Sequence, residues 1–196
     1  MVVKGDERMN FQLPKGMLLG VATASTQIEG GEVNSNWNDW YRQGQIRDNT
    51  DPATGNDHWH FWREDTELMA EMGLQLYRFS VEWARLMPEE GTVDEAAVGQ
   101  YREELLLLRE KGIRPLLTIH HFSIFLWFEE KGAFEKRENL HHYLDFVDIV
   151  VDSFGDLCSD YITINEPNVY AMNGYLAGDW PPGKKSFFAT LRVMEN

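Results

Sequence analysis

The sequence predicts an α/β fold of parallel strands, the N-terminal (β/α)4 half of a (β/α)8 TIM barrel. Short apolar runs alternate with amphipathic stretches in the order βαβαβαβα, which implies parallel strands joined by right-handed crossovers. The first run, ending Gly20-Val21-Ala22-Thr23-Ala24, lacks the G-x-G-x-x-G spacing of a doubly wound nucleotide-binding sheet. Polar residues gather where the runs end: Gln27, Arg78 with Ser80, His120-His121 and Asn165-Glu166. Barrels collect their active sites at that face.

Each strand is a short apolar run rich in β-branched or aromatic residues: 17–22, 74–80, 115–119 and 160–164. The first helical pattern starts near Asp57, carries Phe61, Leu68, Met69 and Met72 at helical spacing, and closes at Gly73. Asp94 is a candidate cap for the second, with Val98, Tyr101, Leu105 and Leu108 on one face, Gly112 as terminator and Pro115 beyond. The third runs from about Leu140 to Cys158, with Leu144, Val147, Val151, Phe154 and Cys158 expected on its buried side. The fourth begins at Ser186, with Phe187, Leu191 and Met194 in register.

A chain of 196 residues fits a single domain, 1–196, but a full barrel needs eight units and about 250 residues. Four units are present, and the last helical pattern reaches Asn196 without a strong stop signal, so the chain is expected to be cut within its fourth helix. Lys+Arg number 18 against Asp+Glu 32, a formal charge of −14. That balance argues against nucleic acid and against an anionic membrane surface as partners. The opening residues carry no apolar signal-peptide core, no run approaches a membrane span, and Cys158 is the single cysteine. A soluble, cytoplasmic chain without a disulfide framework, metal or cofactor is the expectation.

Glu166 is the leading chemical candidate. It follows an apolar strand directly, and partial desolvation there would raise its pKa, the property a general acid needs; a strand-end cap or ion-pair partner is the alternative. Asn165 beside it can donate to a ligand hydroxyl. Arg78 shares a strand face with Leu76 and Ser80, the interior face in a barrel, where a guanidinium needs a carboxylate. Alternatively it points outward toward Glu82 or Glu67. His120 and His121 should face opposite ways, one of them into the site. His58, His60, His141 and His142 complete no zinc pattern and read as capping or surface residues; Cys158 reads as buried and inert. Most of the 7 Trp sit beside amides and carboxylates, as in Asn36-Trp37-Asn38-Asp39-Trp40 and Asp179-Trp180-Pro181, which suits a sugar ligand or simply a core with satisfied indole N–H groups.

Together these segments resemble glycoside hydrolase family 1, the β-glucosidase and 6-phospho-β-glucosidase family. The resemblance rests on FQLPKGMLLGVATASTQIEGG (11–31), Asp57-His58-Trp59-His60, the run Tyr77 to Arg85, Thr118-Ile119-His120-His121-Phe122 and Thr163-Ile164-Asn165-Glu166-Pro167-Asn168, in order and at family spacing. It implies a retaining β-glycosidase acting on a β-glycoside or oligosaccharide. By the resemblance, Gln27 and His121 bind glycone hydroxyls, Asn165 contacts the 2-hydroxyl, Glu166 is the acid/base, and Arg78 neighbours the nucleophile. The family's nucleophilic Glu-Asn-Gly has no counterpart: the Glu-Asn pairs are Glu138-Asn139 and Glu195-Asn196, without Gly. Phe125 stands where many members have Pro. The resemblance therefore implies a half that is inactive alone, and the two strand edges that four units leave unpaired imply that it self-associates or pairs with a complementary C-terminal half. The alternative reading is a non-catalytic half-barrel for folding or assembly.

Overall fold

The computed structural model describes residues 14–31 and 33–196, so the first residues of the 11–31 segment lie outside the described residues. Elements follow in the order β1 (Gly20–Ala22), α1 (Ser25–Ile28), α2 (Asn36–Arg42), α3 (His58–Glu71), β2 (Leu76–Ser80), α4 (Trp83–Leu86), α5 (Glu95–Glu110), β3 (Arg114–His120), α6 (Leu126–Glu130), α7 (Leu140–Phe154), β4 (Tyr161–Ile164), α8 (Pro167–Ala171) and α9 (Phe187–Glu195). Two 3₁₀ turns, Ala133–Glu135 and Arg137–Asn139, precede α7, and a π-helical turn, Met172–Ala177, follows α8.

The strands form one parallel sheet in the order β1-β2-β3-β4. Register sets Arg78 beside Ala22 and Leu116, Ser80 beside Thr118, and Thr118 beside Ile162. Parallel pairing sends each chain back through a helix, so all four strands end at one rim. β1 and β4 are the edges of this sheet. Among the described residues no helix is long and apolar enough to cross a membrane.

The core lies between the sheet and its helices. Tyr77, Phe79, Leu117 and Ile119 pack from the strands against Leu105, Leu108, Phe146, Val150 and Phe154 from α5 and α7. Trp83 is buried at its centre, stacked on Phe146 with ring centroids 4.7 Å apart and flanked by Phe128 at 4.9 Å. α5 follows the expected pattern: Asp94 accepts from the Ala96 and Ala97 N–H groups, and Val98, Tyr101, Leu105 and Leu108 are buried. Cys158 is buried and free, as expected.

The other three long helices depart from their expected faces. In α3 the buried residues are His58, Trp62, Thr66 and Met69, while Phe61, Leu68 and Met72 are exposed. In α7 the buried face is Tyr143, Phe146, Val150 and Phe154, and Leu144 and Val151 are exposed. In α9 Ala189 and Thr190 are buried, leaving Phe187, Phe188, Leu191 and Met194 exposed. The reason is position. Leu68 lines a cavity with Val21 and Ile28 beside β1, and Leu144 lines another with Ile164 and Val193 beside β4. Leu68 and Leu144 thus lie beside the two edge strands, where no further β/α unit packs on them among the described residues.

His58 is neither a cap nor a surface residue. It is buried, and its ring donates through Nδ1 to Asp65 (2.6 Å) and through Nε2 to Glu104 (3.1 Å). Burial alone would lower its pKa, but the hydrogen bonds and charges of Glu104 and Asp65 override it and raise the pKa to about 9. His60, exposed beside Asp57, and His141, which donates to the Glu138 carbonyl, keep the local roles expected of them.

A raised histidine pKa stabilises the fold fully below the unfolded value of 6.5, and that contribution is lost as pH rises through about 9. Stability is expected to fall by about 3 kcal/mol across this window from His58 alone. Denaturant unfolding at a series of pH values checks this: His58→Gln should remove the decline, and an unchanged decline in the variant would refute the assignment.

Candidate active site

The rim is assembled from the residues that leave each strand. Arg78 points to the face shared with Ser80. Its Nε donates to Thr118 Oγ1 at 3.1 Å, and its Nη2 donates to Asn165 Oδ1. Asn165, buried, passes the contact on: its Nδ2 donates to Glu166 Oε2 at 3.3 Å, and its backbone N–H donates to the His120 carbonyl at 2.9 Å. A hydrogen-bonded line Arg78–Asn165–Glu166 thus crosses from β2 over β3 to β4.

Two expectations about this line need correction. Arg78 forms no ion pair with a carboxylate among the described residues; an amide and a hydroxyl satisfy it instead. Its outward alternatives are otherwise engaged, Glu67 with Lys111 and Glu82 within a buried network of its own. Glu166 is exposed rather than desolvated. Its backbone is left-handed (φ 42°, ψ 60°), so the chain leaves the strand direction at this residue. A non-glycine residue held there is strained by roughly 1–3 kcal/mol, a cost that surrounding contacts must offset.

The two strand-end histidines separate as expected. His120 is buried against Phe134 and Tyr170, both at 5.2 Å between ring centroids, and burial pushes its pKa down to about 4. His121 is half-buried. Burial first, then the Arg78 charge, push it down to about 4 as well, against the pull of Glu166. His121 is therefore neutral at pH 7 and able to donate one hydrogen bond and accept another. Gln27 lies on α1 at the same rim and is exposed; among the described residues no hydrogen bond joins it to the other four.

The loop after β3 keeps its shape without proline. Phe125 has φ −64° and ψ 141°, the conformation proline would impose, and is buried. Hydrogen bonds from Asn36 N–H to the Ile124 carbonyl (2.9 Å) and from Leu126 N–H to the Asn34 carbonyl (3.0 Å) clamp it to the segment before α2. Phe122, with φ 70°, is held by its carbonyl, which accepts from Asn36 Nδ2 (3.3 Å) and Trp37 Nε1 (3.2 Å).

The tryptophans divide between the two roles considered for them. Trp40, Trp62 and Trp83 are core residues, but the Trp83 indole N–H, against expectation, has no hydrogen-bond partner among the described residues. Trp37 and Trp180 are half-buried and meet edge-on at 5.6 Å, and Phe122 joins Trp180 at 4.9 Å and His121 at 5.2 Å. Rings therefore lead from His121 to an open cleft of about 670 Å³ lined by Trp37, Trp180, Asp48, Asn173, Asp179 and Lys185. Apolar ring faces beside amide and carboxylate groups suit a polyhydroxylated ligand. Among the described residues no group of three or more His, Cys, Asp or Glu side chains is placed to hold a metal ion.

Sequence reasoning missed a buried polar network behind the rim. Glu29 pairs with Arg85 (3.0 Å) and accepts from Tyr101 Oη (2.6 Å), while Arg85 also lies 3.9 Å over the Trp59 ring. Burial, with Glu82 adding to it, pushes Glu29 up to about 7 against the pull of Arg85 and Tyr101. A lone Glu in Ile28-Glu29-Gly30 or Val81-Glu82-Trp83 gives little signal by itself. For Glu82 the available hint is its period-two spacing from Ser80 and Arg78.

Comparison with known proteins places this geometry. Glycosyl hydrolase family 1 matches as a sequence profile over residues 9–196. β-Glucosidase A of Thermotoga maritima is 34% identical over 192 residues, covering 94% of this chain and 43% of that protein. The β-glycosidase from Pyrococcus horikoshii superposes with a TM-score of 0.85 at 40% identity, covering 92% of this chain and 42% of that one. The Thermotoga maritima β-glucosidase in complex with castanospermine gives 0.87 at 33% identity, covering 92% and 43%. The chain spans less than half the length of the relatives it matches, and its four parallel strands correspond to the N-terminal part of their barrels. With a profile match running from residue 9 to residue 196, the chain belongs to glycosyl hydrolase family 1.

Proposed function

We propose that this chain carries the acid/base half of a retaining β-glycosidase. The observation that supports this best is the line Arg78–Asn165–Glu166, which sets an exposed carboxyl group at a strand end and braces it through Asn165. Retaining hydrolysis uses two carboxyl groups about 5–5.5 Å apart, one as acid/base and one as nucleophile. Glu166 would protonate the leaving oxygen and then activate water. Gln27, His121 and Asn165 would hold the glycone, and the Trp37–Trp180 cleft would receive the leaving-group side. Glu166 is exposed in the free chain, within reach of a leaving oxygen that approaches the rim. Arg78 would lie beside the nucleophile, for which these 196 residues offer no Glu-Asn-Gly.

A second reading is supported by the open sheet edges and their apolar flanks. Edge strands invite pairing, and contiguous apolar surface of several hundred Å² seldom stays in water. The chain would then close its sheet with a second copy or with a complementary C-terminal half, and in this reading assembly rather than turnover is the role of the isolated chain.

Three outcomes follow. The purified chain should show no enzymatic turnover of an aryl β-glucoside, and ordinary turnover would overturn the assignment of a missing nucleophile. In a barrel completed with the remaining strands, Glu166→Gln should slow glycosylation from poor leaving groups by about 10²–10⁴-fold. Dinitrophenyl glucosides, whose leaving group needs little protonation, should suffer less, and equal losses would remove Glu166 from the acid role. Sedimentation at micromolar concentration should show association, and a compact, cooperatively melting monomer would count against the second reading.

A further inference from the structure

The carboxylate of Glu82 is buried at 2% exposure and forms no salt bridge among the described residues, although the charge of Arg85 lies near enough to interact with it. Its oxygens are occupied by groups from three different loops. Oε2 accepts from Ser25 Oγ (3.0 Å) and Thr26 Oγ1 (3.1 Å), both after β1. Oε1 accepts from Ser123 Oγ (2.8 Å), after β3, and from the Ala84 N–H (3.4 Å) in its own loop. Its backbone N–H donates to Tyr101 Oη (3.0 Å), which links it to the Glu29–Arg85 pair. A buried carboxylate is costly unless its lone pairs are filled, and here hydroxyls from neighbouring loops fill them. The arrangement makes sense as a means of fixing loops relative to one another.

We infer that Glu82 is a positioning residue that sets Gln27 and His121 at a fixed separation on the rim. Thr26 immediately precedes Gln27, and Ser123 follows His121 by two residues. Both hydroxyls meet on one carboxylate, close to the two rim residues, beside the direct hydrogen bonds that join 34–37 to 122–126 further along the same segments. The intervening Phe122 is left-handed; its carbonyl is held by Asn36 and Trp37, and Ser123 adds a second anchor, on Glu82, next to it. The inference rests on the proposed reading of Gln27 and His121 as sugar-binding groups, but the coupling of the loops is a property of the chain with or without sugar.

The test uses the full 196-residue chain, isotope-labelled for NMR, with Glu82→Ala and Glu82→Gln. In the wild type His121 should titrate near 4, and Glu82→Ala should move it toward the ordinary 6.5 as the loop opens to water. Amide exchange at 25–27 and 121–123 should rise about tenfold or more, with Leu117 and Ile119 within about twofold of wild type. Glu82→Gln, which keeps one acceptor oxygen, should fall between. An unchanged His121 midpoint, or exchange raised evenly through the sheet, would reduce Glu82 to a general stabiliser and overturn the inference. Should Glu82→Ala fail to fold, Thr26→Val should loosen 25–27 alone and Ser123→Ala should shift His121 alone; neither doing so overturns it. Deoxynojirimycin titrated calorimetrically separates the two layers. Binding weakened about tenfold in Glu82→Ala supports positioning, and equal binding overturns it. No binding to the wild type defeats the sugar-site reading and leaves the loop measurements to decide the coupling.

Discussion

Parallel pairing is the constraint on which the rest of this structure depends. A parallel strand cannot turn back on its neighbour, so each of the four must return through a helical crossover and finish at the same end as the last. That requirement alone brings together residues 27, 78, 121 and 166 without any of them attracting another. It also fixes the division of labour in each strand. Tyr77 and Phe79 face the helices and are buried there, whereas Arg78 between them must face the opposite way and finds Thr118 and Asn165.

The two sides of the sheet are held by different physics. Behind it, aromatic packing around Trp83 dominates, a non-directional term proportional to buried area. Along the rim, directed contacts dominate: carboxylates, hydroxyls and amides bonded to one another, although both ring nitrogens of His120 and Nδ1 of His121 are buried without a hydrogen-bond partner among the described residues. Packing of the first kind adapts to substitution of similar volume, while the second specifies geometry and tolerates little. The rim holds two left-handed non-glycine residues, Phe122 and Glu166, and the second kind of interaction is what can keep them there.

The strands, the α5 face and the grouping of polar strand ends were legible in the sequence because each depends on local periodicity. Burial of the helix stripes was not. Leu68, Leu144 and Leu191 have the spacing of core residues, but spacing reports which side of a helix is apolar and not whether anything covers it. The desolvation expected for Glu166 was misjudged: it is exposed, with a left-handed turn at its own backbone, and no side-chain pattern reports that turn. Glu29, Glu82 and His58 were missed or misassigned for a shared reason. A buried charge is recognisable by its partners, and theirs lie tens of residues away: Tyr101 for Glu29, Ser123 for Glu82, Glu104 for His58.

Phe125 carries a wider consequence. Proline would fix the backbone at this point covalently, in the folded and the unfolded chain alike. Here the same angle is imposed by segment 34–36 across the loop, and only once the chain has folded. Rigidity here is a relationship between two distant stretches and not a property of one residue. A substitution near Asn34 is therefore also a change to the loop that carries Phe122 and Phe125.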